Sequence, residues 1–166
     1  QLKSIHGVLK SSPADFIVIE QKLYEPSGEG EHLYVTVRKT NMSHDEMIRQ
    51  IAREFAVSIR DVGAAGRKDL RGVTTQTISV YLPRKEISVP ERVGSIEILS
   101  SSWHTNKLRL GHLSGNHFSI RLREIASANY KCIEERLQAL AKTGLPNFFG
   151  LQRFGNRGNN HKLGLA

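Results

Sequence analysis

Six short segments of this chain carry the residue types and spacing of β-strands, and they restrict the fold more than any other feature. They are 15-DFIVIE-20, 33-LYVTVR-38, 77-TISVYL-82, 95-SIEIL-99, 107-KLRLG-111 and 117-HFSIRL-122, each bounded by Gly, Ser, Pro or Asn. The turn-rich 26-PSGEGE-31 is placed to join the first two. Only two stretches have helical spacing. Ser43 and Glu46 predict a capping box that opens a helix with Met47, Ile48, Ile51, Ala52 and Phe55 on one face, which has to pack on a sheet. A second helix is expected from about Ser127 to Lys142, with Ile133, Leu137, Leu140 and Ala141 inward and Gly144 and Pro146 ending it. Strands and helices do not alternate, which argues against a doubly wound parallel sheet and for an α/β (α+β) domain dominated by strands. No repeat, low-complexity linker or like-charge block divides the 166 residues, so one compact domain is expected.

Charge narrows the partner. Lys and Arg outnumber Asp and Glu by 24 to 16, giving +8, which favours a polyanion such as nucleic acid over acidic small molecules or a membrane. No apolar run approaches the roughly 18 residues of a membrane span, and Gln1 to Ser4 has no apolar signal core, so a soluble intracellular protein is expected. The single cysteine, Cys132, falls at a helical core position and has no histidine near it in sequence, so it reads as a small core residue. There is no G-x-x-x-x-G-K-[ST], no G-x-G-x-x-G after a strand, no C-x-x-C and no H-E-x-x-H, and the seven histidines show no ligand spacing. Nucleotide, dinucleotide and zinc chemistry lose their usual anchors.

Three stretches are richer in Gly, Asn, Arg and aromatics than a core requires: 63-GAAGRKDLRGVTTQ-76, 111-GHLSGNHFSIRLRE-124 and 147-NFFGLQRFGNRGNN-160. In the third, Arg153 and Arg157 attract phosphate and Phe148, Phe149 or Phe154 offer stacking faces, or else the phenylalanines are core beneath a Gly-rich turn. In the second, Asn116 and Phe118 point to the same side of a strand, where Phe118 is a core residue unless a pocket opens beside it. In the first, Asp69 stands among Arg67, Lys68 and Arg71. It is either one half of a surface ion pair or a carboxylate that adjacent cations keep ionised for work as nucleophile or base, with the same cations holding phosphates.

At these stretches the sequence resembles the TruD family of tRNA pseudouridine synthases. The resemblance runs through 15-DFIVIE-20, 25-EPSGEGEHLYVTVRK-39, 66-GRKDLRGVTTQ-76, 107-KLRLGHLSGNHFSIRLRE-124 and 146-PNFFGLQRFGNRGNN-160, in family order and with family-like spacing. It implies the pseudouridine-synthase catalytic fold, a mixed, largely antiparallel sheet with flanking helices, and isomerisation of a uridine in RNA. The usual target is the thirteenth nucleotide, in the tRNA D-arm. It implies no metal or organic cofactor, a tRNA or other structured RNA as partner, neither DNA nor membrane, a cytoplasmic location and a monomer at full length.

By the same matching, Asp69 is the catalytic aspartate, Phe118 the aromatic that stacks on the target base, and Asn116 its neighbour that orders the catalytic loop. Glu20 and Lys68 are polar neighbours of the aspartate, and Asn147 and Arg153 are pocket and RNA contacts. Family members continue past the last motif, so residues 1–166 are expected to be the N-terminal portion of the catalytic domain, without the inserted domain and the return segment. Two other readings are a basic RNA-binding fragment without catalysis, and a glycosidase-type hydrolase with Glu20 as second carboxylate.

Overall fold

The computed structural model describes residues 4–83 and 86–145, in two compact units, one running to Glu124 and one from Ile125. The larger unit is a seven-stranded sheet. Strands β2 (Phe16–Lys22), β3 (His32–Thr40), β5 (Val73–Tyr81), β7 (Ile96–His104) and β8 (Leu113–Ile120) are long, whereas β4 (Val62–Ala64) and β6 (Arg92–Val93) are short. The path is β6-β7-β3-β5-β2-β8, with β4 also on β5. Every pairing is antiparallel except β2 with β5, so the sheet is mixed and largely antiparallel as expected. A separate ribbon joins β1 (Val8–Leu9) to β9 (Leu122–Arg123).

Helix α1 (His44–Glu54) closes one face of the β3–β5–β7 region. Its apolar residues at 3.6-residue spacing, Met47, Ile48, Ile51 and Ala52, together with Phe55, pack on Leu33, Val35 and Val37 of β3 and on Ile78 and Val80 of β5. Each such side chain taken wholly out of water contributes roughly 1.5–3 kcal/mol before entropy is counted. The start signal is only half of the expected box. Ser43 Oγ accepts from the Glu46 amide at 3.1 Å, but the Glu46 carboxylate instead accepts from Arg49 and Gln50 further along the helix.

Period-two alternation sorts β3 cleanly. Leu33, Val35, Val37 and Lys39 face α1, and Tyr34 and Thr36 face the other way beside Ser79 and Thr77. On that second face Tyr34, Ala65 and Leu108 form a small buried cluster. Leu108 belongs to the one expected strand that does not form, 107-KLRLG-111. Its burial does not alternate: Leu108 is buried, whereas Leu110, two residues on and expected on the same side, is exposed. Its backbone makes isolated bonds, Leu108 N to Ser79 Oγ and Gly111 N to Ala65 O, with no ladder. Strand β5, by contrast, begins four residues before the expected Thr77, because Val73 to Gln76 already pair with β3.

In the second unit, α2 (Tyr130–Thr143) follows a 3-10 turn over Ser127–Asn129 and ends at Gly144, whose φ of 74° is the left-handed stop the sequence implied. The expected inward face does not materialise: Leu137 and Leu140 are exposed, α2 buries none of its residues, and Cys132 is only half-buried. A single helix has no second apolar layer within its own described unit to close over the stripe. Pro146 lies outside the described residues.

Candidate active site

The loop 65–72 between β4 and β5 carries Asp69, and buried lysines hold it from beneath. Lys39 is 1% exposed and donates at 2.7 Å to the Met42 carbonyl and at 2.8 Å to the carbonyl of Asp69 itself. Burial pushes the Lys39 ammonium down from its usual 10.5, against which the charge of Asp69 works. Lys68 reaches 2.6 Å from Glu20 Oε2, with both side chains almost wholly buried. Glu20 also accepts the Thr77 amide through Oε1 at 3.1 Å. The β2–β5 register ends at Ile19 and Thr75, so the carboxylate takes an amide just past the point where the parallel ladder stops. The Gln76 amide donates to the Gly66 carbonyl at 3.3 Å. At the far end of the loop, Gly72 has φ 136° and lies so close to β2 that a Cβ would stand 2.5 Å from the Phe16 carbonyl.

The cations adjacent to Asp69 in sequence are not the ones that touch its carboxylate. Lys68 is spent on Glu20, and Arg67 pairs with Asp45 at 2.6 Å. The partner of Asp69 is Lys10, whose Nζ lies 3.1 Å from Oδ1 and 3.6 Å from the centroid of the Phe16 ring. No sequence signal marked Lys10: it stands 59 positions away and outside every motif. Its place depends on a second pair. Arg123, on β9, donates to both oxygens of the fully buried Asp15 at 2.7 and 2.8 Å. That fork clamps the β1–β9 ribbon from which Lys10 emerges with φ 59°, and the Arg123 guanidinium holds the Asp15 carboxyl down from 3.8 to about 2.

Phe118 and Asn116 join this group through register. On β8, Phe118 pairs with Val18 and Asn116 with Glu20, so both stand on the face of Phe16 and Glu20. The Phe118 ring meets Phe16 edge-on with centroids 6.2 Å apart, yet it is 52% exposed, because nothing among the described residues covers β8. Phe118 is therefore an open aromatic face and not a core residue. Contacts thus run without a break from Asp69 through Lys10 and Phe16 to Phe118, and from Lys68 through Glu20 to Asn116. Beside the loop a cavity of about 420 Å3 is lined by Lys10, Asn41, Leu70, Arg71 and Gly72 among others. Asn147 and Arg153 lie outside the described residues.

The family model described as tRNA pseudouridine synthase D (TruD) matches residues 1–166. The chain belongs to the TruD family. A tRNA pseudouridine synthase D of Geobacter sp. (strain M21) is 43% identical over 160 residues, covering 96% of this chain and 40% of that relative. The one from Syntrophotalea carbinolica is 44% identical over 166 residues, covering 100% and 42%. A solved structure from Methanosarcina mazei described as tRNA pseudouridine synthase D (TruD) superposes with a TM-score of 0.76 at 31% identity, covering 92% of this chain and 36% of that one. The chain thus spans about two fifths of the length of the TruD relatives it matches, and its fold is theirs over that span.

Proposed function

We propose that the protein carrying this chain isomerises a uridine of tRNA to pseudouridine, with Asp69 as the group that acts on the target nucleotide. The observation that carries this reading is the placement of the Asp69 carboxylate. It is ion-paired to Lys10, which sits over the Phe16 ring that the uncovered Phe118 meets edge-on, and Lys39 holds its main-chain carbonyl. The reaction breaks the bond between uracil N1 and the sugar C1′, turns the base, and bonds uracil C5 to C1′, with the C5 proton lost and N1 gaining one. It needs a carboxylate beside the target nucleotide and a surface that retains the free base. Asp69 supplies the first and Phe118 the second, with Asn116 and Glu20 steadying the loop and strand between them and Lys68 locking Glu20.

A uridine within a folded arm has to leave its stack, a cost of a few kcal/mol. Stacking on an aromatic returns about 1–3 kcal/mol per base, and phosphate contacts to a basic protein add to it. The net charge of +8 supports that partner. The thirteenth nucleotide of the D-arm is the target, and Asn147 and Arg153 are further contacts to the RNA; the family resemblance supports both assignments. The protein acts in the cytoplasm as a monomer.

Glu20 argues against a hydrolase. That reading needs a second free carboxylate opposite the first, and Glu20 is buried, paired with Lys68 and bonded to the Thr77 amide. The test is Asp69→Asn in the full-length protein, assayed on a tRNA transcript for pseudouridine, free uracil and binding. Loss of pseudouridine with binding retained is expected. Undiminished turnover overturns the role of Asp69, and release of uracil by the unaltered protein overturns the isomerase.

A further inference from the structure

On the opposite face of the sheet lies a second, independent cluster of aromatic and titratable groups. Tyr24 packs against His104 with centroids 5.3 Å apart and against His112 at 5.9 Å, and Tyr34 meets His104 edge-on at 4.9 Å. A cavity of about 530 Å3 opens there, lined by Tyr24, His104, His112, Lys107, Arg109 and Glu25 among others. That size falls within the roughly 300–1,000 Å3 of ordinary ligand sites.

The hydrogen bonds of this cluster fix which atoms donate. Tyr34 gives its one hydroxyl proton to the Asn106 carbonyl at 2.9 Å. At the 3.2 Å contact between the two hydroxyls, Tyr24 must therefore be the donor. It follows that at the 2.9 Å contact with His112 the Tyr24 oxygen accepts and Nδ1 donates, which leaves Nε2 of neutral His112 as an acceptor. His104 Nδ1 lies 3.2 Å from both the amide and the Oγ of Ser27. The cavity thus has aromatic walls, two imidazoles and two cations. Lys107 spends one proton on the Arg60 carbonyl and keeps two, and Glu25, the one acid in the lining, is paired with Lys22 at 2.9 Å.

We propose that this cavity is a second nucleotide subsite, which takes an unpaired nucleotide of the RNA substrate with its base against Tyr24 and the two imidazoles and its phosphate on Lys107 and Arg109. Stacking faces with adjustable donors and acceptors read an unpaired base, and Lys and Arg beside them neutralise the backbone. Tyr34 and Lys39, the residues of β3 that meet this cavity's aromatics and the Asp69 main chain, are five residues apart and on opposite faces. At about 3.4 Å per residue that is roughly 17 Å along the strand, or about five stacked nucleotides. The two points also face opposite sides of the sheet, so an RNA has to pass round its edge to reach both, which puts the occupant outside the arm that holds the target uridine.

The inference rests on tRNA being the substrate, and its test separates the two. Affinities of full-length Arg109→Glu, Arg109→Gln and His104→Ala are measured for a whole tRNA transcript and for a stem-loop containing only the target arm. Arg109 is exposed, so its variants leave the fold intact even if His104→Ala does not. About tenfold weaker binding of whole tRNA by Arg109→Glu, a smaller loss for the glutamine, and stem-loop binding within about twofold of the unaltered protein are expected. Unchanged affinity for whole tRNA in the Arg109 variants overturns the subsite, as does an equal loss on both RNAs, which marks general charge attraction. Loss of pseudouridine in Asp69→Asn is read separately, so a wrong role for Asp69 leaves this affinity comparison interpretable.

Discussion

The same sheet is closed at one end and open at the other. Under α1, the residues of β3 and β5 that face the helix are buried, with Val35, Val37, Ile78 and Val80 at 0% exposure. On β8, separated from β3 by two strands, Phe118 and Ile120 remain about half exposed although they pair in register with buried residues of β2. The closed end is apolar and interchangeable in kind, whereas the open end is held by charges. Lys10–Asp69, Lys68–Glu20 and Arg123–Asp15 all cluster where β2, the 65–72 loop and the β1–β9 ribbon meet. Apolar packing supplies stability but sets position only to within what a core can absorb. Bidentate and buried ion pairs fix an atom, at a desolvation cost that apolar packing elsewhere has to offset.

The largest effect that would break this division is on chemistry alone. Asp69→Asn is expected to lower pseudouridine formation by on the order of 10^4-fold while leaving the urea midpoint of unfolding in place, because general acid–base and nucleophilic groups carry factors of that size. A strongly shifted midpoint would mean that Asp69 is structural. Next comes the closed end, where Ile51→Ala should cost about 2–5 kcal/mol in urea unfolding and affect turnover only through the folded fraction. Lys39→Met lies between the two regions. Two buried carbonyls lose a donor, at about 1–3 kcal/mol, and the loop loses its tether, so turnover should fall by more than the folded fraction does. A loss confined to stability would assign Lys39 to the core.

Phe118→Ala sharpens the comparison from the open side. It should change stability by less than about 1 kcal/mol, since the ring is half in water already, yet weaken binding of the target arm by roughly 1–3 kcal/mol. The smallest effect is on pH. The Asp15 carboxyl is depressed from 3.8 to about 2, so the stability it contributes is fully present above about 3.8 and is lost as pH falls from there through about 2. Thermal unfolding of the unaltered protein and of Arg123→Ala should therefore converge in that window, and parallel curves would deny the pair this role.

Much of this was legible in the chain. The strands of the sheet, the α1 face and its Ser43 cap follow from period and capping chemistry, which are local. The motif carrying Asp69, and Asn116 with Phe118 on one side of a strand, could likewise be read from short stretches. Lys10 could not, since its meaning depends on the β1–β9 pairing and on a salt bridge across 59 positions. The stretch 107-KLRLG-111 misled because its residue types alternate, yet only Leu108 is buried and no neighbouring strand pairs with it. The flanking cations of Asp69 misled in the same way: a basic neighbourhood in sequence does not say which acid each cation meets in space.

The parallel register of β2 with β5 has a kinetic consequence. Strand β2 is made early but finds its first sheet partner only in β5, after β3, α1 and β4 have been made, and its second only in β8. Until then it is a β-rich segment with free edges, the kind of species that chaperones engage and that aggregates when they do not. On the ribosome, the loop that carries Asp69 is made before both Phe118 and the β9 strand that places Lys10. A protein of this family therefore completes the surface beside its acid only when the most exposed step of its synthesis is already over.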